Sequence, residues 1–330
     1  MSDILLRVKE LSIGVKGIGD ADIAVEEISF NIKKGEILGI VGESGCGKSL
    51  TALSIAGLLP QSTIVSGGSI IFDGVELKGI SRDEMRKIQG KDISMVFQEP
   101  MTSLNPLMTI GKQVSEGLKI HYKLTNKEIK DRVLAVLIKV GLARCEEIYN
   151  SYPHQLSGGM RQRVMIAIAI ICEPKLIIAD EPTTALDVTI QSQILALLKD
   201  INEEYKTSIL FISHDLGVIN KLCHRVAVMY AGNIVEDGTT KNIFINPVHQ
   251  YTRGLIESIP TRVKKGERLA NIEGKVPSIK EKKFGCSFAP RCQKAEEKCF
   301  YEKPERVNLG PNHKVCCNLA DLESGEEYVI

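Results

Sequence analysis

The residues best suited to chemistry lie in one short segment. Gly42-Glu43-Ser44-Gly45-Cys46-Gly47-Lys48-Ser49 follows the apolar run Ile37-Leu38-Gly39-Ile40-Val41 and precedes a helical pattern. Its glycines let backbone N–H groups turn inward around phosphate oxygens. The helix that follows adds the positive end of its dipole. Lys48 has the reach to meet β- and γ-phosphates, and the Ser49 hydroxyl suits Mg²⁺. The pattern G-x-x-x-x-G-K-[ST] between a buried strand and a helix is specific. Gly42 to Leu50 is therefore the candidate nucleotide-binding segment.

Two further segments carry matching chemistry. Leu176-Ile177-Ile178-Ala179-Asp180-Glu181 is an apolar run ending in two carboxylates. Asp180 can hold Mg²⁺, directly or through water. Glu181 can orient or deprotonate an attacking water. Upstream, Leu156-Ser157-Gly158-Gly159-Met160 reads as a Ser-capped helix start with two glycines, which is a second anion site. Two phosphate sites in one chain are hard to reconcile with a single nucleotide.

These residues need strands and helices to position them. The first 41 residues read as strands, with Lys33-Lys34-Gly35 as a turn. Ser49 to Leu59 reads as a helix ended by Pro60. Asp73-Gly74 marks a hairpin between Ser69–Phe72 and Val75–Leu77. Thr125 and Glu128 form a capping box for a helix to Leu142, ended by Gly141. Ser157 starts a helix to Cys172. Asp187 can cap a helix with the apolar stripe Ile190, Ile194, Leu197, Leu198 and Ile201. Ser208–Ile212 is a third buried strand, and Val226–Met229 with Asn233–Val235 closes around Ala231-Gly232. Alternating buried strands and helices imply an α/β layered core, interrupted by a mainly helical stretch over about 101–170. The character changes after about residue 245, where a basic stretch (Arg262, Lys264, Lys265, Arg268, Lys280, Lys282, Lys283) leads into a cysteine-rich tail.

Composition narrows the classes. The 330 residues are 43% hydrophobic and 25% charged, which suits a globular protein with a sizeable core. With 42 Lys+Arg against 41 Asp+Glu, nothing in the charge balance asks for nucleic acid. The longest apolar run, 164–172, falls far short of the roughly 20 residues a bilayer span needs. Met1-Ser2-Asp3-Ile4 lacks the pattern of a signal peptide. The expectation from these features is a cytosolic protein.

The motifs together resemble the ATP-binding cassette (ABC) ATPases. Leu156-Ser157-Gly158-Gly159-Met160 is similar to their signature, with Met160 in place of the usual Gln. Gln98, in Val96-Phe97-Gln98-Glu99-Pro100, matches the Q-loop glutamine. Ala185-Leu186-Asp187 matches the D-loop, and His214, in Ile212-Ser213-His214-Asp215, matches the switch histidine. The resemblance implies a P-loop NTPase fold: a RecA-like core with an antiparallel β subdomain and a helical subdomain. It implies hydrolysis of ATP with Mg²⁺ held through Ser49, Gln98 and Asp180, with Glu181, His214, Gln98 and Lys48 as catalytic residues. It also implies a head-to-tail pair of ATPase subunits, in which Ser157, Gly158 and Gly159 act on the partner's ATP and Asp187 lies at the interface. Where the family usually stacks an aromatic on adenine, this chain has Val15, and no aromatic precedes Phe30.

Two stretches narrow the resemblance to ATP-binding subunits of dipeptide/oligopeptide permeases. One is Gln98 to Pro106. The other is His249 to Leu255 with Ile259-Pro260 and the cysteine tail. The implied division is an ATPase domain over 1–245 and a small, irregular Cys-rich extension over 246–330. The implied function is to power peptide import through two transmembrane permease subunits, fed by an extracellular substrate-binding protein. The second ATPase subunit is then a related chain or a second copy. Related systems import nickel. An ABC ATPase acting on DNA is the other alternative, but those place long coiled coils between phosphate loop and signature. Here that interval shows no sustained heptads.

Cys286, Cys292 and Cys299, then Cys316 and Cys317, crowd the tail. Four thiolates at loop spacing suit an iron–sulfur cluster or a tetrahedral zinc site, with disulfides or free thiols as the remaining options. In the resembling family the last cysteine lies four residues after a histidine, so His313 selects Cys317. The resemblance implies a [4Fe–4S] cluster on Cys286, Cys292, Cys299 and Cys317, with Zn²⁺ as the alternative.

Overall fold

The runs read as strands form strands, and three further strands, at 93–96, 306–310 and 313–316, were not expected. In chain order they are β1 (Ile4–Val15), β2 (Asp22–Lys33), β3 (Ile37–Val41), β4 (Thr63–Phe72), β5 (Val75–Glu76), β6 (Ile93–Val96), β7 (Leu176–Asp180), β8 (Ser208–Ser213), β9 (Arg225–Tyr230), β10 (Asn233–Thr239), β11 (Arg306–Gly310) and β12 (His313–Cys316). The computed structural model describes residues 3–16, 22–99, 103–184, 186–259, 272–281, 284–310 and 312–320. Pro100, Met101, Thr102, Ala185, Pro260, Arg262, Lys264, Lys265, Arg268, Lys282 and Lys283 lie outside the described residues.

The chain forms two compact units. One gathers described residues of 1–5, 32–36 and 79–212; the other gathers those of 6–31, 37–78 and 213–330. In the first, β6, β7 and β8 run parallel in that order. Every residue of β7 and β8 is buried. Burial on both faces suits continuous apolar runs such as Leu176–Ala179. Each buried Ile or Leu contributes about 1.5–3 kcal/mol.

The expected helices of this unit are present, with sharp local causes. Helix Asn126–Lys139 carries the Thr125/Glu128 capping box, and Gly141 follows at φ 75°. Helix Gly158–Ile170 starts at Ser157, whose side chain accepts from the Met160 amide. Helix Val188–Tyr205 starts at Asp187, whose side chain accepts from the Ile190 amide. A short helix, Arg82–Ile88, was not anticipated, although Ser81 and Glu84 form a second capping box.

The second unit holds a sheet in the order β2-β1-β4-β5. Its β4–β5 hairpin turns at Asp73 and Gly74, both at positive φ, as an Asp-Gly turn requires. In the same unit β3 pairs parallel with β9, and β9 antiparallel with β10. The tail is more regular than expected: β12 pairs with β10, and β11 with β12, both antiparallel. The helix after the phosphate loop runs Lys48–Ala56 and stops at Gly57 rather than at Pro60. Gly57 takes φ 67°, which lets its amide reach the Leu53 and Ser54 carbonyls. No helix among the described residues is long and apolar enough to cross a membrane.

Candidate functional site

The phosphate loop is shaped by contacts that admit only glycine. A Cβ on Gly42 would lie 2.0 Å from the Met229 carbonyl oxygen, so the chain can pass β9 only without a side chain there. Gly47 sits at φ 104° as the cap of helix Lys48–Ala56, and a Cβ there would meet Met229 and Val25. Gly45 is at φ 80° with open space around it, and Ser44, Gly45 and Ser49 are exposed. Lys48 is 5% exposed. Its Nζ donates to the carbonyls of Gly42 at 2.7 Å and Glu43 at 3.0 Å. Cys46 is fully buried, and burial pushes its thiol up, so it fills space rather than reacting.

Glu43 is held by residues that sequence reasoning left without a role. Its amide donates to the Tyr251 hydroxyl at 2.8 Å. Its carboxylate accepts from Arg291 Nη1 at 2.7 Å and Nη2 at 3.1 Å. Tyr251, Tyr230 and Phe288 pack ring against ring, with centroids 4.6 to 5.4 Å apart. Only the resemblance of the stretches containing Tyr251 and Arg291 marked them beforehand.

In the other unit, β7 delivers Asp180 at its buried end, 6% exposed. Glu181 follows at φ 47°, in the left-handed region that few residues other than glycine adopt, and its neighbours constrain it there. The constraint is visible. The Glu181 amide donates to the Ile212 carbonyl at 3.0 Å. Its Oε2 accepts from Thr184 Oγ1 at 2.9 Å and from Gln98 Nε2 at 3.2 Å. The sequence-level candidates Gln98 and Glu181 therefore meet. Thr184 had not been singled out.

The remaining motif residues take these places. Ser157 Oγ accepts from the Met160 amide at 3.3 Å. Gly158 stands in open space, and Gly159 faces Ile190, which a Cβ would approach to 3.2 Å. Asp187 Oδ1 accepts from the Ile190 amide at 2.9 Å. His214 is exposed directly after β8. Val15 ends β1, paired with Thr63 of β4.

The metal or cluster site expected in the tail is corrected. Among the described residues no group of three or more His, Cys, Asp or Glu side chains is placed to hold a metal ion. Among the described residues no disulfide joins these cysteines, and Cys286, Cys299 and Cys317 act as apolar packing. Cys299 is buried with Ala289 and Leu319, and Cys286 and Cys317 pack against them. Burial raises the Cys286 thiol to about 11, so it packs here as a protonated, apolar group. His313 is committed elsewhere: its Nε2 lies 2.8 Å from Glu236 Oε1. Neither a [4Fe–4S] cluster nor Zn²⁺ on Cys286, Cys292, Cys299 and Cys317 fits this arrangement.

Comparison with known proteins agrees with the motif geometry. Residues 25–184 match the family model described as ABC transporter, and residues 235–299 match the oligopeptide/dipeptide transporter C-terminal region. The chain is 48% identical to the oligopeptide transport ATP-binding protein AppD of Bacillus subtilis, covering 92% of this chain and 93% of that protein. It is 48% identical to the dipeptide transport ATP-binding protein DppD of the same species, over 96% and 95% of the two chains. Among solved structures it is similar to the ATP-binding cassette MJ0796, a dimer bound to ADP and Pi. That match has 31% identity and a TM-score of 0.65, over 71% of this chain and 98% of that one. The chain belongs to the ABC transporter family, among the ATP-binding subunits of oligopeptide/dipeptide transporters.

Proposed function

We propose that this chain, an ATP-hydrolysing subunit that powers peptide import, uses Glu181 to orient and deprotonate the attacking water. The observation that supports this most directly is the constraint on Glu181. Its backbone lies at positive φ, and its Oε2 accepts from both Gln98 and Thr184. A carboxylate aimed in this way can take a proton from water as the water oxygen bonds to the γ-phosphorus and the bond to ADP breaks.

The other roles follow from residue chemistry. Amides of Gly42 to Leu50 bind phosphate oxygens, and Lys48 exchanges its carbonyl partners for β- and γ-oxygens. By donor chemistry the Ser49 hydroxyl, the Asp180 carboxylate and the Gln98 amide oxygen would each suit Mg²⁺, a hard cation. When bound, Mg²⁺ neutralises charge on the β- and γ-oxygens. His214 contacts the γ-phosphate. Ser157, Gly158 and Gly159 present a helix N-terminus to the nucleotide held by a second ATPase subunit, with Asp187 at that interface.

The ATPase domain is 1–245 and the extension 246–330. The ATPase pair works at the cytoplasmic face of the membrane on two permease subunits, with a substrate-binding protein outside. A related ATPase chain fills the second place. The test is uptake by the reconstituted transporter. A labelled dipeptide or oligopeptide should accumulate with ATP, and Glu181→Gln should abolish accumulation. ATP-driven uptake of Ni²⁺ without peptide uptake would contradict the peptide reading.

A further inference from the structure

We infer that Arg291 is a positioning residue for nucleotide binding: it captures the Glu43 carboxylate so that Lys48 remains available to phosphate. The inference rests on reading Gly42 to Leu50 as the nucleotide loop. Arg291 lies far along the chain from that loop, in the segment Phe288-Ala289-Pro290-Arg291-Cys292.

Arg291 is built into its place. Nε donates to the Glu273 carbonyl at 2.8 Å. Nη1 donates to Glu43 Oε2 at 2.7 Å and to the Tyr230 hydroxyl at 3.2 Å. Nη2 donates to Glu43 Oε1 at 3.1 Å and to the Ile272 carbonyl at 3.0 Å. Every N–H of the guanidinium thus has an acceptor. The side chain is 5% exposed, and the fork on Glu43 is bidentate.

Glu43 is the one acidic residue in the loop, and its position bears directly on Lys48. Lys48 Nζ lies 3.0 Å from the Glu43 carbonyl oxygen. That carbonyl is a neutral partner that an incoming phosphate displaces easily. Released from Arg291, the Glu43 carboxylate would be an added negative charge in the loop, competing for the same ammonium and repelling the phosphates. Arg291 removes both penalties. The Tyr251 hydroxyl, which accepts the Glu43 amide, holds the backbone while Arg291 holds the side chain. The extension therefore contributes to nucleotide affinity without touching nucleotide.

The test is equilibrium binding of MgADP to the purified full chain by calorimetry, with folding checked by circular dichroism. Arg291→Gln should weaken binding about tenfold, because the freed carboxylate competes for Lys48. Adding Glu43→Gln should recover most of that loss. A folded R291Q protein that binds like wild type overturns the inference. So does a loss that E43Q leaves uncorrected, since Arg291 would then act only by packing the extension through Ile272 and Glu273. If R291Q does not fold, Arg291→Lys carries the test: it keeps the charge but not the fork, and should weaken binding about threefold. Wild-type affinity in R291K would overturn the inference equally. Lys48→Ala separates the two readings. If K48A binds MgADP like wild type, the loop is not the nucleotide site and the inference falls with it. If K48A loses binding while R291Q does not, only the role of Arg291 falls.

Discussion

Gln98 Nε2 donates to Glu181 Oε2 across 3.2 Å. The parallel register of β6 and β7 accounts for it. Val96 pairs with Ala179, so Gln98 and Glu181 each stand two residues beyond a paired position. Neighbouring parallel strands that end together bring their following residues together, which is where open α/β sheets place ligands. In the proposed mechanism Gln98 orients Glu181 through this bond and offers its amide oxygen to Mg²⁺.

Gln98→Ala should therefore lower kcat for ATP about tenfold, because the lost amide no longer orients Glu181, with any accompanying rise in KM reporting its share in holding Mg²⁺. Steady-state hydrolysis by the assembled transporter checks this. A raised KM at unchanged kcat would assign Gln98 to nucleotide binding instead.

The Asp187 side chain caps helix Val188–Tyr205, and the proposed mechanism also places it at the subunit interface. Asp187→Ala should lower stability by about 1 kcal/mol in urea unfolding. Asp187→Asn retains the cap and should keep that stability. If N and A variants destabilise equally, the cap is not the source of the loss.

The Cys286 thiol makes stability depend on alkaline pH. Burial raises it from 9.0 to about 11, so the folded state favours the protonated thiol. The stabilisation is fully present below about pH 9 and is lost as pH rises toward 11. Cys286→Ala should unfold with a shallower decline over that window than wild type. Equal slopes in the two proteins would show that the thiol does not titrate with folding.

Local signals were legible and distant ones were not. Thr125, Ser157 and Asp187 declare helix starts because a cap needs only the next few residues. The glycine-rich loop after β3 and the carboxylates at the end of β7 were legible because strand, turn and helix adjoin in sequence. Helix Arg82–Ile88 was missed despite its Ser81/Glu84 box, since Met85 is its one buried residue and no apolar stripe announces it. The Arg291–Glu43 pair spans 248 positions, and no periodicity reports such a contact. The place of His313 was hidden for the same reason. Its spacing served only to choose Cys317 over Cys316 as the fourth ligand, while β12 pairs with β10 and places the ring against Glu236.

The most direct test of the mechanism is Glu181→Gln in the assembled transporter, measured as phosphate release and bound nucleotide together. The variant should bind MgATP as wild type does, release phosphate about 10²- to 10⁴-fold more slowly, and accumulate as an ATP-bound closed pair. Phosphate release at the wild-type rate would contradict the role given to Glu181.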